Sequence, residues 1–366
     1  MSLFSRGECN NRVGEIMESF SVAEKPASSV FGKDPTVEVA TVFCTALDSR
    51  KKMISNNPRV VGIRDTESVQ SFQRHLADAR RMVVVGNGGI ATEIIAETNN
   101  VEVVWAIKHK SIAAAFLDSG AAQFLLPRLN AAEPPTEAFK KRFKHVHEAS
   151  RRNAGEECFG SALGPDWTED LLISGACQDK KVYIEYQCAV DEILTPEEFR
   201  QRHLSLSDLP DSFSCQTDWQ VYVVLTNHQV IGCDLVVSAT GVHPNVDLWL
   251  TPENQFKLGS DGGLLVSDQM ETSIEDVYAA GDACTAGWTW SPHWLQMRLW
   301  TQARQMGAYA GICMASNLRH ERAVLDICFE IFTHVTTFFA FKVVLLGKFN
   351  GQGLRPDHET FVRITP

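Results

Sequence analysis

Residues 82–93 read Met-Val-Val-Val-Gly-Asn-Gly-Gly-Ile-Ala-Thr-Glu, and this stretch decides the fold. An apolar run from Met82 to Val85 has the composition of a strand buried on both faces. The glycines then fit G-x-G-x-x-A, with Gly86 permitting a tight turn and Gly88 leaving room for a diphosphate to approach the backbone. Ala91 is small enough for the following helix, which continues through Ile94 and Ile95 to Thr98, to pack on the strand. The first turn of that helix offers N–H groups and a favourable dipole to phosphates. A second apolar strand, Val101 to Ile107, completes a βαβ unit in a parallel sheet.

The end of that second strand bears on which nucleotide fits. An acidic residue there binds a ribose 2′-hydroxyl, whereas a cation accepts a 2′-phosphate. Here Ile107 is followed by Lys108-His109-Lys110, with no acid, a pattern that tolerates NADPH without excluding NADH.

Working outward, Val60 to Asp65 reads as a short strand and Thr66 to Ala79 as a helix. Residues 1–58 are poorly patterned apart from a strand-like run at Val37 to Cys44. Downstream, Ser111 to Leu129 reads as an alanine-rich helix. Residues 131–166, with Pro134-Pro135 and many charges, read as a surface insertion. Strands are expected at Val182 to Val190, Trp219 to Thr226 and Leu235 to Ala239, with a turn at Asn227-His228-Gln229. Two further strand-to-turn motifs follow. One is Val236 to Asn245, ending in Ala239-Thr240-Gly241. The other is Asp276 to Asp282, a short apolar strand ending in Gly281-Asp282 and leading to a helix from Trp294 to Met314. Phe338 to Leu346, which carries Lys342, reads as a buried strand, too short to span a bilayer.

Bulk composition narrows the classes. At 366 residues the natural expectation is more than one domain. The net charge of −11 argues against a dedicated nucleic-acid binder. A local basic run at Lys140 to Arg152 reads as a solvated face of the insertion, with contact to RNA or a nuclear address as the alternative. Ten cysteines include no C-x-x-C pair and no zinc-site spacing, which together with the lack of a secretory pattern fits free thiols in a reducing compartment. No residues are expected to bind metal.

The segments GNGGIATE, VVSATGVHPN and DGGLLVSDQMETSIEDVYAAGDA, in that order, resemble three successive signatures of the pyridine nucleotide-disulphide oxidoreductases, flavoproteins with two dinucleotide-binding domains. The resemblance covers residues 60 to 366 and implies an α/β fold with Rossmann-like FAD- and NAD(P)-binding domains. It also implies that FAD and NAD(P)H are the cofactors, that hydride passes from nucleotide to flavin, and a role in redox homeostasis and the response to oxidative stress. By residue, it implies that Gly86, Gly88, Gly89, Ala91 and Glu93 hold the nucleotide, with Glu93 near the carboxamide and Lys108 at the strand end. Thr240 and Gly241 form the crossover to the flavin domain. Gly281 and Asp282 hold the flavin ribityl chain and diphosphate, and Trp294 to Trp300 presents N–H groups to the isoalloxazine. Stacked rings react by proximity, so no dedicated acid or base is expected.

The resemblance also implies departures. No glycine fingerprint for the FAD adenosine half lies upstream of Gly86, and the C-terminal interface domain stops at Pro366, so the flavin half is expected to be incomplete and the chain truncated at both ends. The expected division is a remnant of the flavin domain and linker at 1–79 and a nucleotide domain at 80–240. A second flavin segment follows at 241–325 and a partial interface domain at 326–366. Without C-x-x-C, the electron acceptor is oxygen, a quinone or a protein, the last meeting the 131–166 insertion. Cytosol and nucleus are the implied locations. Two other readings are a nucleotide-binding module without catalysis and an interaction protein whose exposed sheet edge pairs with others.

Overall fold

The computed structural model of the chain describes residues 57–129 and 173–355, apart from 64–65, 252–254 and 340, together with residue 359 and two short strands near the N-terminus and at 144–147. The strand expected at 37–44, and the insertion apart from 144–147, lie outside the described residues. In chain order the elements open with β1 (Ser21–Glu24), β2 (Val60–Gly62), α1 (Thr66–Ala77), β3 (Arg81–Val85) and α2 (Gly89–Glu97). Then come β4 (Glu102–Ala106), the four-residue α3 (Ser119–Ala122), β5 (Lys144–His147), β6 (Lys181–Glu185), β7 (Val190–Leu194) and α4 (Pro196–Gln201). The remainder is β8 (Val221–Leu225), β9 (Val230–Cys233), β10 (Leu235–Ser238), β11 (Leu264–Val266), β12 (Cys284–Ala286), α5 (Trp300–Asn317), β13 (Thr333–Phe338) and β14 (Phe341–Leu346).

A five-stranded parallel sheet, ordered β2-β10-β3-β4-β6, forms the frame. Because side chains alternate along a strand, each central strand feeds two cores. Met82, Val84, Val103, Trp105, Leu235 and Val237 point to one face, where Val69, Phe72 and Leu76 of α1 and Ala91, Ile94 and Ile95 of α2 cover them. Val83, Val104, Ala106 and Val236 point to the other, where the antiparallel meander β7-β8-β9 covers them with Val221, Val223, Ile231 and Cys233. Burial on both faces explains why β3 and β4 read as unbroken apolar runs. The sheet takes in β2, upstream of the boundary at residue 80 expected from the sequence.

At the opposite end of the strands from the glycine turn, Arg81 and Glu102 face each other across β3 and β4. Their side chains are 3% exposed and meet at 2.8 Å. Arg81 also donates to the carbonyls of Ser214 (2.8 Å) and Gly232 (3.2 Å), with its guanidinium 4.3 Å from the Trp219 ring.

A second, smaller core forms around Val266, Met270, Trp294, Met306, Tyr309 and Phe329, joining the parallel pair β11-β12 to α5. The hairpin β13-β14 then returns to the first core, where Phe332, Phe338 and Leu345 pack.

Several expected elements differ. The 111–129 helix is replaced by turns, α3 and a short 3-10 turn at Leu126–Arg128; Asp118 caps α3 by accepting from the N–H groups of Gly120 and Ala121, and Pro127 lacks the donor a continuous helix needs. The 182–190 strand is two, separated at Gln187, which has φ 55°. The helix after Gly281-Asp282 runs Trp300–Asn317 rather than Trp294 to Met314, because the side-chain oxygen of Gln302 accepts from Met297 N–H (2.6 Å) and its amide donates to the Leu295 carbonyl (2.7 Å), holding 295–299 out of helical form. Residues 276–280 form an irregular segment with one bridge, Glu271 to Tyr278, and the regular strand β12 follows Gly281-Asp282 instead of preceding it. The 338–346 run is one turn and one strand of a hairpin, and most of β14 is exposed. Among the described residues, no helix is long and apolar enough to cross a membrane.

Candidate functional site

The turn between β3 and α2 is shaped by two glycines under different constraints. Gly86 has φ +130°, and a Cβ there would lie 2.0 Å from the Ala239 carbonyl oxygen and 3.2 Å from the Thr240 amide nitrogen. Only glycine allows the end of β3 to lie this close to the loop leaving β10. Gly88 is the opposite case. Its φ of −94° suits any residue, and a Cβ there would meet nothing within 4 Å. The space in front of Gly88 is therefore open toward solvent at the start of α2, the cradle that a diphosphate would fill.

The turn is held from below and from the side. Trp105, fully buried in β4, donates its indole N–H to the Gly86 carbonyl at 2.6 Å, and Gly86 N–H donates to Ala106 at 3.2 Å. Asn87 is 7% exposed. Its amide donates to the Ser111 carbonyl at 2.8 Å and lies 3.0 Å from His109 Nδ1, tying the glycine turn to the loop after β4. The Asn87 Oδ1 is buried without a hydrogen-bond partner, an acceptor that a bound ligand would satisfy.

Of the nucleotide residues expected from the sequence, Gly86, Gly88 and Gly89 line this turn, and Ala91 is fully buried where α2 meets the sheet. Glu93 sits one turn further along α2, half-buried, and accepts from Thr336 of β13 at 3.4 Å. Lys108 is exposed beyond the end of β4, next to His109 and Lys110. Thr240 and Gly241 are exposed in the loop after β10, with the Thr240 backbone against Gly86. The fingerprint and the Ala-Thr-Gly segment therefore meet at the carboxyl ends of adjacent parallel strands, where α/β sheets bind ligands.

Gly281 and Asp282 lie apart from these, in the second core. The Gly281 turn packs on α5 so closely that a Cβ would come within 3.1 Å of Ala303. Among the described residues the Asp282 carboxylate accepts no hydrogen bond, while its backbone carbonyl accepts from Arg298 Nε at 3.0 Å. Burial pushes the Asp282 carboxyl above the ordinary range, and the Arg298 charge pulls it part of the way back. Arg298 itself pairs with Asp261 at 2.7 Å. A half-buried carboxylate lacking donors fits a polyol that would supply hydroxyls. The segment expected to face a flavin ring ends at the first turn of α5, with only Trp300 helical.

Sequence reasoning missed Trp105, Asn87, Phe116 and His334. Asn87 stood in plain view between two motif glycines, and its short amide suits a turn. The roles of the others depend on partners far along the chain. No group of three or more potential metal ligands occurs among the described residues.

The model of the family described as pyridine nucleotide-disulphide oxidoreductase matches residues 207–307. The chain is 43% identical to pyridine nucleotide-disulfide oxidoreductase domain-containing protein 1 of Pongo abelii, across 97% of this chain and 77% of that protein. Among solved structures it is similar to reduced CoADR-RHD of Bacillus anthracis, with a TM-score of 0.52 and 15% identity over 86% of this chain. It is also similar to the NAD-dependent persulfide reductase of A. fulgidus, with a TM-score of 0.50 and 19% identity over 82% of this chain. The match spans 42% of each of those two structures, less than half their length. At these identities the likeness concerns the fold alone, an α/β architecture built on a parallel sheet.

Proposed function

The chain belongs to the pyridine nucleotide-disulphide oxidoreductase family, and from that premise we propose that it is a flavoprotein oxidoreductase in which bound FAD accepts hydride from NAD(P)H. The observation that carries this reading is the cradle at Gly88: an open approach to the first turn of α2, beside a buried Asn87 oxygen that lacks a donor.

The chain's residues supply binding and orientation. The backbone of Gly88 and Gly89 faces the diphosphate, and Asn87 accepts a hydrogen bond from the ligand. Lys108, His109 and Lys110 present positive or neutral donors to the ribose side, which suits a 2′-phosphate as well as a hydroxyl. Asp282 accepts from the ribityl hydroxyls. The seven cysteines in the described residues are free thiols, several of them buried, and none is required to carry electrons. The electron acceptor is then oxygen, a quinone or a protein partner. The same proposal places the work in redox homeostasis and the response to oxidative stress, in cytosol and nucleus, as the family resemblance implies.

The test is the cofactor content of the purified chain. Bound flavin, bleached on anaerobic addition of NADH or NADPH, supports the proposal. A colourless protein that takes up no added FAD but still binds NADPH would leave a nucleotide-binding module. Loss of both sinks the site assignment.

A further inference from the structure

Two reacting cofactors must be held in a fixed mutual geometry, yet the helices assigned to them belong to separate cores, α2 in the first and α5 in the second. One chain of contacts joins their first turns. Thr301, the second residue of α5, shares a hydrogen bond with Nδ1 of His334 at 3.1 Å. His334 lies on the buried face of β13, its ring 5.8 Å from that of Phe116. Phe116 lies against Gly89, the first residue of α2, where a Cβ would come within 3.1 Å of the ring. Phe338, on the same face of β13, meets Phe116 edge-on at 5.7 Å. Between them, Thr336 reaches Glu93 on α2.

His334 is 6% exposed, and Thr301 is the one hydrogen-bond partner of its ring among the described residues. Burial lowers its pKa to about 4, so the ring is neutral at physiological pH. It therefore acts as an uncharged spacer of fixed shape, with one nitrogen committed to α5 and its ring tilted at 36° to that of Phe116.

We propose that His334 is a positioning residue through which flavin binding at α5 and nucleotide binding at α2 are thermodynamically coupled, by way of Thr301 on one side and Phe116 and Gly89 on the other. This rests on the cofactor assignment above. Ligands that order the first turn of either helix fix the same strand, so the second ligand meets a site already ordered. Coupling of binding is reciprocal and directly measurable.

The experiment is calorimetric titration of the full chain with NADPH, in the absence of FAD and at saturating FAD, and the converse titration of FAD. In the wild type, each cofactor is expected to lower the Kd of the other by the same factor, at least about fivefold. In His334→Phe and in Thr301→Val, each cofactor alone is expected to bind within about threefold of wild type, while the factor falls below about two. His334→Asn, which restores a polar group opposite Thr301, is expected to recover part of it. The proposal is overturned if the wild type binds both cofactors without coupling, or if the coupling survives in both variants. Thr301→Val decides the matter should His334→Phe fold poorly. A wild type that binds neither cofactor overturns the cofactor assignment as well, a pattern distinct from binding without coupling.

Discussion

The indole N–H of Trp105 donates to the carbonyl oxygen of Gly86 at 2.6 Å, so a side chain near the end of β4 fixes the first peptide of the glycine turn. Trp105 is fully buried and the bond is part-buried, so an acceptor left there without a donor costs roughly 1 kcal/mol. Trp105→Phe keeps most of the ring volume and removes the donor. It is expected to destabilise the chain by that amount in denaturant unfolding and to weaken NADPH binding as the turn loosens. An unchanged midpoint with unchanged binding would show that the turn is set elsewhere.

Gly86 and Gly88 separate folding from binding. Gly86→Ala places a methyl on the Ala239 carbonyl in a left-handed backbone, and a loss of about 3 kcal/mol or more is expected. Gly88→Val meets open space and loses only about 1 kcal/mol from poorer capping of α2, yet it should weaken nucleotide binding by roughly 100-fold or more by filling the cradle. Thermal melts and NADPH titrations of the two variants check this; comparable effects of Gly88→Val on both readouts would refute it.

Asp282 is expected to oppose stability while supporting flavin binding. Its folded pKa is raised, chiefly by burial. Its contribution is therefore favourable below the unfolded pKa and lost as pH rises through the folded one. At pH 7 Asp282→Asn should leave the cofactor-free protein as stable as wild type or more so, and should bind FAD more weakly. Melting curves at pH 4 and 7 with an FAD titration test this; a variant less stable than wild type at pH 7 without cofactor contradicts it.

His334 gives the protein an acid-sensitive window. Its folded pKa of about 4 lies below the ordinary histidine value of 6.5 because burial disfavours the charged ring. The unfolded chain then binds the extra proton between those values, so stability is full above pH 6.5 and falls as pH drops toward 4. The groups facing the ring are the uncharged Thr301 and Phe116. Wild type is expected to lose up to about 3 kcal/mol through this one group over that window, and His334→Phe to lose correspondingly less. Parallel pH titrations of stability would expose the difference, and identical slopes would refute it.

Lys108 and Lys110 are exposed beyond β4. Replacing both by Glu should weaken NADPH binding by about tenfold more than NADH binding, because the added charge repels a 2′-phosphate but not a hydroxyl. Equal losses for the two nucleotides would place the ribose elsewhere.

The three central strands of the parallel sheet, β3, β4 and β10, were legible because each is buried on both faces and bounded by a glycine or a charge. Met82 to Val85 and Val101 to Ile107 left no competing pattern. The glycine motif was legible for the same local reason. The failures have a common cause in tertiary context. Ser111 to Leu129 has helical composition, but the Asp118 cap and Pro127 divide it. Phe338 to Leu346 is apolar enough for a core strand, yet Val344 and Leu346 are exposed, because only one side of a two-stranded hairpin has a core to face. The start of α5 depends on Gln302 bonding back to Met297 and Leu295. No propensity announces that, nor that His334 would meet Thr301.

The Arg81–Glu102 pair lies far from the ligand cradle, and its consequence concerns assembly. The two residues are direct neighbours across β3 and β4, so a one-residue slip of either strand would turn that strand's charged side chain to the opposite layer and leave its partner unpaired. A stranded guanidinium or carboxylate in that dry interior would cost several kcal/mol, whereas shifted valines would cost little. In an apolar sheet where many alignments look alike, this ion pair penalises every register but the native one.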